Sequence, residues 1–273
     1  MLHVQSETDE LQVARDLAGR VAVVTGGAKG IGRGIVEALS THGATVVVAD
    51  RDADEGRRVA DELSSSGGRR VEAKTVDVTS SASVDALVRD VIDDLGQLDI
   101  LVNNAGVSRS VPFRDIDEAE WDRVFDVNVK GAYLACRAVV PHMMARRYGK
   151  IVNISSMVGK EAIPLFVHYS ASKFAVLGLT QGLAKEMADY DVNVNAVCPG
   201  VVRTPLWEPL LDQLSATKGI SRDEAFDEFV SGIPLGRPQE PRDIGEVVAF
   251  LASERARNMT GQGINVTGGM QLH

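Results

Sequence analysis

The sequence predicts an α/β fold: one doubly wound parallel sheet of about seven strands with helices on both faces. Three observations predict it. Short apolar, β-branched runs recur at 21–25, 45–50, 71–76, 99–102, 151–155, 192–197 and 264–267, and because polar and apolar residues do not alternate within them, they suit strands buried on both faces. Longer helix-like stretches separate the runs, near 31–42, 53–65, 81–95, 117–145, 169–189 and 241–253, and this alternating order reads as a parallel sheet with helical cover. Finally, six consecutive runs end in polar or glycine-rich sequence, where ligands of open parallel sheets bind.

Taken in order, "VAVVT" leads into "TGGAKGIG" 25–32, a glycine-rich turn opening the first helix. "TVVVAD" ends in the acid Asp50, "VEAKTV" is followed by Asp77, and the cluster "SSSGGRR" 64–70 between them is a turn rather than a linker. "DILV" runs into "NNAG" 103–106, and the long helical stretch 117–145 carries Asn128. "IVNIS" is followed by Ser156, and the next helix opens with "HYSASKF" 168–174. "VNVNAV" ends in "CPG" 198–200, and the irregular region 203–240 then carries helical pieces among Pro and Gly. A segment that long outside regular structure is usually functional, which marks it as a substrate lid.

The 273 residues, 44% hydrophobic and 25% charged, suit one large globular domain. Residues 18–273 are assigned to it, and 1–17 to a flexible or peripheral leader. Cys136 and Cys198 lie far apart without companions at ligand spacing, so neither a disulfide scaffold nor a metal site is expected. The leader lacks a signal-peptide pattern and no segment has the ~18 apolar residues of a membrane span, so a cytoplasmic protein with no membrane partner is expected. A net charge of −9 opposes nucleic-acid binding. The expected partner is a small-molecule substrate.

Gly26, Gly30 and Gly32, with Ile31 between the last two, stand between a strand and a helix. Without side chains, such a turn lets backbone amides approach a pyrophosphate at the helix N-terminus. The same glycines could serve only tight packing, but Asp50 decides the matter: about 20 residues on, it is placed to accept the adenosine ribose hydroxyls of a dinucleotide. Tyr169 and Lys173 are one helical turn apart and share a face. A free phenol with a pKa near 10 is about a thousandth phenolate at pH 7, and an adjacent ammonium has the sign needed to lower it, a change worth roughly 4 kcal/mol if it reaches neutrality. Ser156 would then hold the substrate oxygen while Tyr169 takes or returns its proton. Asn128 is unfavourable within a helix unless its side chain meets a structural need.

In this order and spacing, "TGGAKGIG", "NNAG", Asn128, Ser156, "YSASK" and "PG" closely resemble the short-chain dehydrogenase/reductase family over about residues 18 to 270. The resemblance implies a Rossmann-type fold, usually tetrameric, and a catalytic tetrad matching Asn128, Ser156, Tyr169 and Lys173. It gives Lys173 a second task on the nicotinamide ribose and makes Asn128 the holder of a proton-relaying water. It assigns Asp77 and Val78 to the adenine, Asn104 to the ribose side, and Val202 and Thr204 to the nicotinamide amide. Lys29 and Arg51 are cations of the kind that NADP-dependent members use for the 2′-phosphate. Asp50 opposes that phosphate, so NAD is expected to be preferred, with NADP as the alternative.

The expected reaction is hydride transfer between NAD(H) and a secondary alcohol or ketone. The lid sequence and the following "PLGRPQEPRDIGEVVAFLAS" resemble polyol, diol and sugar dehydrogenases. Ser108 and Val158 stand where hydroxy-acid enzymes place polar carboxylate-binding residues, which favours a neutral substrate, and Trp207 is expected as an apolar wall. A 3-oxoacyl-(acyl-carrier-protein) reductase using NADPH is the alternative within the family, and a non-catalytic dinucleotide-binding regulator the alternative outside it.

Overall fold

The computed structural model describes residues 16–65, 69–204 and 207–273. Seven strands, β1 (Val21–Thr25), β2 (Thr45–Asp50), β3 (Val71–Thr75), β4 (Ile100–Asn103), β5 (Gly149–Ile154), β6 (Val192–Pro199) and β7 (Gly263–Val266), form a single sheet in the order β3-β2-β1-β4-β5-β6-β7. Every pairing is parallel. Successive side chains within each run point to opposite faces, and both faces are apolar: Ala22, Val24, Val46, Val48, Ile100 and Val102 enter one core, while Val21, Val23, Val47, Ala49 and Leu101 enter the other. Burial on both faces explains why the runs lack alternation.

The first core is covered by α1 (Gly30–Thr41), α2 (Ala53–Ser64) and α9 (Pro241–Ala252); the second by α3 (Ser81–Leu95), α5 (Gly131–Arg146) and α6 (Val167–Met187). Local chemistry fixes the helix ends. Asp52 and Ser80 cap α2 and α3 through the amides of Glu55 and Ser83, and Gly96 closes α3 in the left-handed conformation. Helices α1 and α9 pack backbone to backbone: a Cβ on Gly34 would lie 2.5 Å from the carbonyl carbon of Pro241, and one on Gly245 would lie 2.5 Å from the Gly34 oxygen.

Three sequence expectations are corrected. The stretch 117–145 is not one helix: α4 (Glu118–Phe125) passes through a π-turn at Asp126–Lys130 before α5 begins, and Asn128 sits in that turn. A π-turn inserts a residue into the helical ladder, which sequence periodicity does not register. The region 203–240 is mostly a helical hairpin, α7 (Glu208–Lys218) and α8 (Arg222–Val230), closed over its own apolar cluster of Leu211, Ala225, Phe226 and Ile233; its residues Pro205 and Leu206 lie outside the described residues. The leader boundary also shifts, because Leu17 is buried in the first core and its amide bonds the His42 carbonyl at 3.0 Å, whereas residues 1–15 lie outside the described residues. Among the described residues, no helix is long and apolar enough to cross a membrane.

Because the α1–α9 contact leaves no room for a methyl group, Gly34→Ala should destabilise the fold by about 1–3 kcal/mol, the usual cost of overpacking. Thermal and urea unfolding would read this directly, and an unchanged midpoint would show that the two helices can separate freely.

Candidate active site

A cleft of about 920 Å³ opens at the carboxyl ends of the strands. It is lined by Gly26, Lys29, Gly30, Ile31, Gly32, Asp50, Arg51, Asp77, Val78 and Asn104, and also by Ser156, Tyr169, Lys173, Val202, Thr204 and Trp207. Of the expected site residues, only Asn128 lies outside this lining.

The glycines are required where they stand. Gly26 and Gly30 have φ of +63° and +52°, and a Cβ on Gly32 would fall 2.0 Å from the Gly26 carbonyl oxygen. Asn104 braces this turn by donating its amide to the carbonyls of Thr25 at 3.0 Å and Gly26 at 2.9 Å. Its side-chain amide therefore holds the turn. Asp50 accepts from the amides of Ala28 and Asp52, each at 3.1 Å. Lys29 is ion-paired with Asp52 at 2.8 Å. The Thr79 hydroxyl and amide hold the Asp77 carboxyl below the usual range. Val78 packs against the start of α5, where a Cβ on Gly131 would lie 3.0 Å from its Cγ2.

At the other end of the cleft, α6 carries Tyr169 and Lys173 on one face, opposite Ser156. The Lys173 ammonium is shielded and donates to the Ile154 carbonyl at 2.8 Å, 5.6 Å from the centre of the Tyr169 ring. Removal from water lowers the Lys173 pKa to about 8. The same effect pushes the Tyr169 phenol up to about 12, opposed by a hydrogen bond with Ser156. The expected lowering of the phenol by Lys173 is thus corrected. Desolvation penalises both charged forms, and the ammonium is turned toward a backbone carbonyl instead of the phenol.

Asn128 meets the structural need its position implied. Its Oδ1 accepts from the Val107 amide at 2.8 Å, and its Nδ2 donates to the Val107 carbonyl and to Ser172 Oγ, each at 3.0 Å. Ser172, missed in the sequence, passes the contact on by donating to the Tyr169 carbonyl at 2.7 Å; its place three residues after Tyr169 on the helix was the available signal. Also missed was a buried chain in which Asn103 donates to Asn153 at 2.8 Å and Asn153 to Thr180 at 2.9 Å, tying β4 and β5 to α6. Trp207 both lines the cleft and packs edge-on against Phe226 and Phe229, with ring centres at 5.6 and 4.9 Å. His168 faces away from the chemistry, its Nε2 3.3 Å from Glu120. Among the described residues, no group of three His, Cys, Asp or Glu side chains is placed to hold a metal.

Comparison with known proteins gives a consistent result. A family model described as short chain dehydrogenase matches residues 20–215. The 3-oxoacyl-(acyl-carrier-protein) reductase FabG of Chlamydia muridarum is 37% identical over 254 residues, 93% of this chain and 98% of that protein. The L-2,3-butanediol dehydrogenase of Corynebacterium glutamicum is 38% identical over 258 residues, 92% of this chain and 98% of that one. The crystal structure of gox2181 superposes with a TM-score of 0.86 at 34% identity, covering 94% of this chain and 98% of its own.

Asn128 makes the side-chain contacts that anchor Val107. Asn128→Ala should therefore raise amide exchange across 107–110 at least tenfold while leaving the sheet protected. Hydrogen exchange read by mass spectrometry checks this, and unchanged exchange in that loop would remove the anchoring role.

Proposed function

The chain belongs to the short-chain dehydrogenase family, oxidoreductases that bind a nicotinamide dinucleotide and act on CH–OH groups, and from that premise we propose that it interconverts a secondary alcohol and its ketone using NAD(H) in preference to NADP(H). The observation that carries the reading is one cleft with the glycine turn and Asp50 at one end and Ser156, Tyr169 and Lys173 at the other.

The cleft fits the dinucleotide. The glycine turn is so tight that a Cβ on Gly32 would fill it, and it presents the N-terminus of α1, an anion-binding element. Val78 and Asp77 flank the adenine end, and Val202 and Thr204 the nicotinamide end. When bound, the cofactor supplies the carbon that gives or accepts the hydride. Ser156 donates to the substrate oxygen. Tyr169, a protonated phenol at neutral pH, gives its proton to that oxygen during ketone reduction and takes one during alcohol oxidation. Lys173, bonded to the Ile154 carbonyl, acts on the forming phenolate only through its charge, 5.6 Å from the ring centre, and Asn128 holds the loop and helix between which these groups work. The Asp52 ion pair engages Lys29, so Asp50 faces an incoming 2′-phosphate with less opposition, which supports NAD.

Two substrate readings remain within this function. A diol, the narrower form of the polyol, diol or sugar expected from the sequence, is supported by likeness to the butanediol dehydrogenase. A 3-oxoacyl reductase is supported by likeness to FabG and by the apolar wall of Met157, Val158, Ile163, Phe166, Leu210 and Phe229. The hairpin α7–α8 serves as the lid over either. A cytoplasmic homotetramer belongs to the same proposal. On the outer faces of α5 and α6, Tyr133 and Phe174 are exposed, and no atom lies near where side chains on Gly178 and Gly182 would point, which supports packing against a second copy.

Oxidation requires the phenolate, about one part in 10⁵ at pH 7 for a group titrating near 12. Alcohol oxidation should therefore accelerate between about pH 7 and pH 10, while ketone reduction, which uses the phenol, stays level and falls only at strongly alkaline pH. Tyr169→Phe should lower kcat by about 10²–10⁴ with cofactor affinity retained. Initial rates in both directions test this, and wild-type turnover in the variant would end the assignment.

A like charge at a 2′-phosphate can cost several kcal/mol, so the kcat/KM ratio for NAD over NADP should exceed about tenfold and shrink at least tenfold in Asp50→Ala. A wild-type preference for NADP would overturn the cofactor reading.

A further inference from the structure

We propose that the Ser108–Arg109–Ser110 arch is a subsite for an anionic group of the substrate, a carboxylate or a phosphate. The inference rests on the dehydrogenase reading above and narrows its substrate class. The loop after β4 is held at both ends. Val107 is bonded through both its amide and its carbonyl to Asn128, at 2.8 and 3.0 Å, and the Val111 amide donates to the Leu165 carbonyl at 2.9 Å. The three residues between these anchors line the cleft, and among the described residues no hydrogen bond or ion pair engages their side chains. The hydroxyls of Ser108 and Ser110 are shielded from water without a hydrogen-bond partner, and the exposed Arg109 guanidinium has neither hydrogen bond nor ion pair among the described residues. Native proteins keep few shielded polar groups unpaired, and those that persist call for a function.

The other cations of this half of the cleft are engaged: Arg123 by Glu120 at 2.8 Å and Lys173 by the Ile154 carbonyl at 2.8 Å. In a chain of net charge −9, Arg109 is thus a cation that the protein's own carboxylates have left open. A guanidinium matches a carboxylate or phosphate with two parallel donors, and the flanking hydroxyls can turn to the remaining oxygens. Across the cleft, Met157, Val158, Ile163 and Phe166 are apolar, suited to the carbon chain between the reacting carbon and the charge. Under this inference the substrate carries a charge, in contrast to the neutral substrate expected from Ser108 and Val158.

The test compares matched substrates in the full-length protein: a short hydroxy acid against its methyl ester, and a 3-oxoacyl-coenzyme A against the same acyl group on N-acetylcysteamine, which lacks phosphate. In at least one pair the charged member should have a kcat/KM at least tenfold higher, and which pair shows it identifies carboxylate or phosphate as the source. Arg109→Ala should reduce that ratio at least tenfold, Arg109→Lys should restore part of it, and added salt should reduce it in the wild-type protein. Neutral members used as well as charged ones, or a loss in Arg109→Ala shared equally by both members, overturns the inference while leaving the dehydrogenase reading intact. No turnover of either member of any pair overturns the inference, and the dehydrogenase reading falls with it only if a panel of diols and polyols with NAD or NADP is also left unreacted.

Discussion

A parallel sheet buried on both faces can place polar chemistry in very few positions, and the rest of this molecule follows from that constraint. Valine, isoleucine, leucine and alanine fill both sides of β1, β2 and β4, so a polar side chain along a strand would lose its water without compensation. At the carboxyl ends the register brings Thr25 beside Asn103 and Asn103 beside Asn153. There the chain turns out of the sheet and polar groups regain partners. Asp50, Asp77, Asn104 and Ser156 all stand at such exits, and the cleft is the space they share.

Within this frame the catalytic end is positioned by hydrogen bonds that cross between elements. The π-turn rotates Asn128 so that one amide group grips Val107 on the β4 loop and Ser172 on α6. Ser155 adds a bond to the Lys173 carbonyl at 2.9 Å. Tyr169 and Lys173, both on α6, are therefore fixed relative to the ends of β4 and β5 by the π-turn and by the exit of β5, which is how groups must be held if a proton is to move along a defined path. The same grip sets one end of the arch carrying Arg109. The proposed catalytic group and the proposed anion subsite thus share an anchor, and the apolar wall is contributed separately by the loop after β5 and by the hairpin α7–α8.

The energetics of the catalytic pair show what adjacency alone does not decide. Tyr169 and Lys173 at i and i+4 suggest an ammonium lowering a phenol. In the folded chain both groups are desolvated, and each is pushed toward its neutral form. Lys173 spends a hydrogen bond on Ile154 instead. The phenol is thus held in its neutral form in this structure, as the proposed proton donor requires.

By itself the sequence determined the parallel sheet, the strand ends that carry chemistry, the glycine turn with Asp50, and the Ser156, Tyr169 and Lys173 group. These depend on local periodicity, on backbone conformations that only glycine adopts readily, and on spacing within a few residues, all of which are written along the chain. Only the tertiary structure decided that Asn128 occupies a π-turn, that Ser172 and Asn104 act as braces, that 208–230 forms a helical hairpin with its own core, and that Arg109 lacks a partner among the described residues. Each of these depends on which distant groups meet: Val107 lies 21 residues from Asn128, and Ser172 lies 44. Hydrogen bonding and desolvation are set by neighbours in space, so the sign of a pKa shift and the freedom of a charge become legible only when the chain has folded.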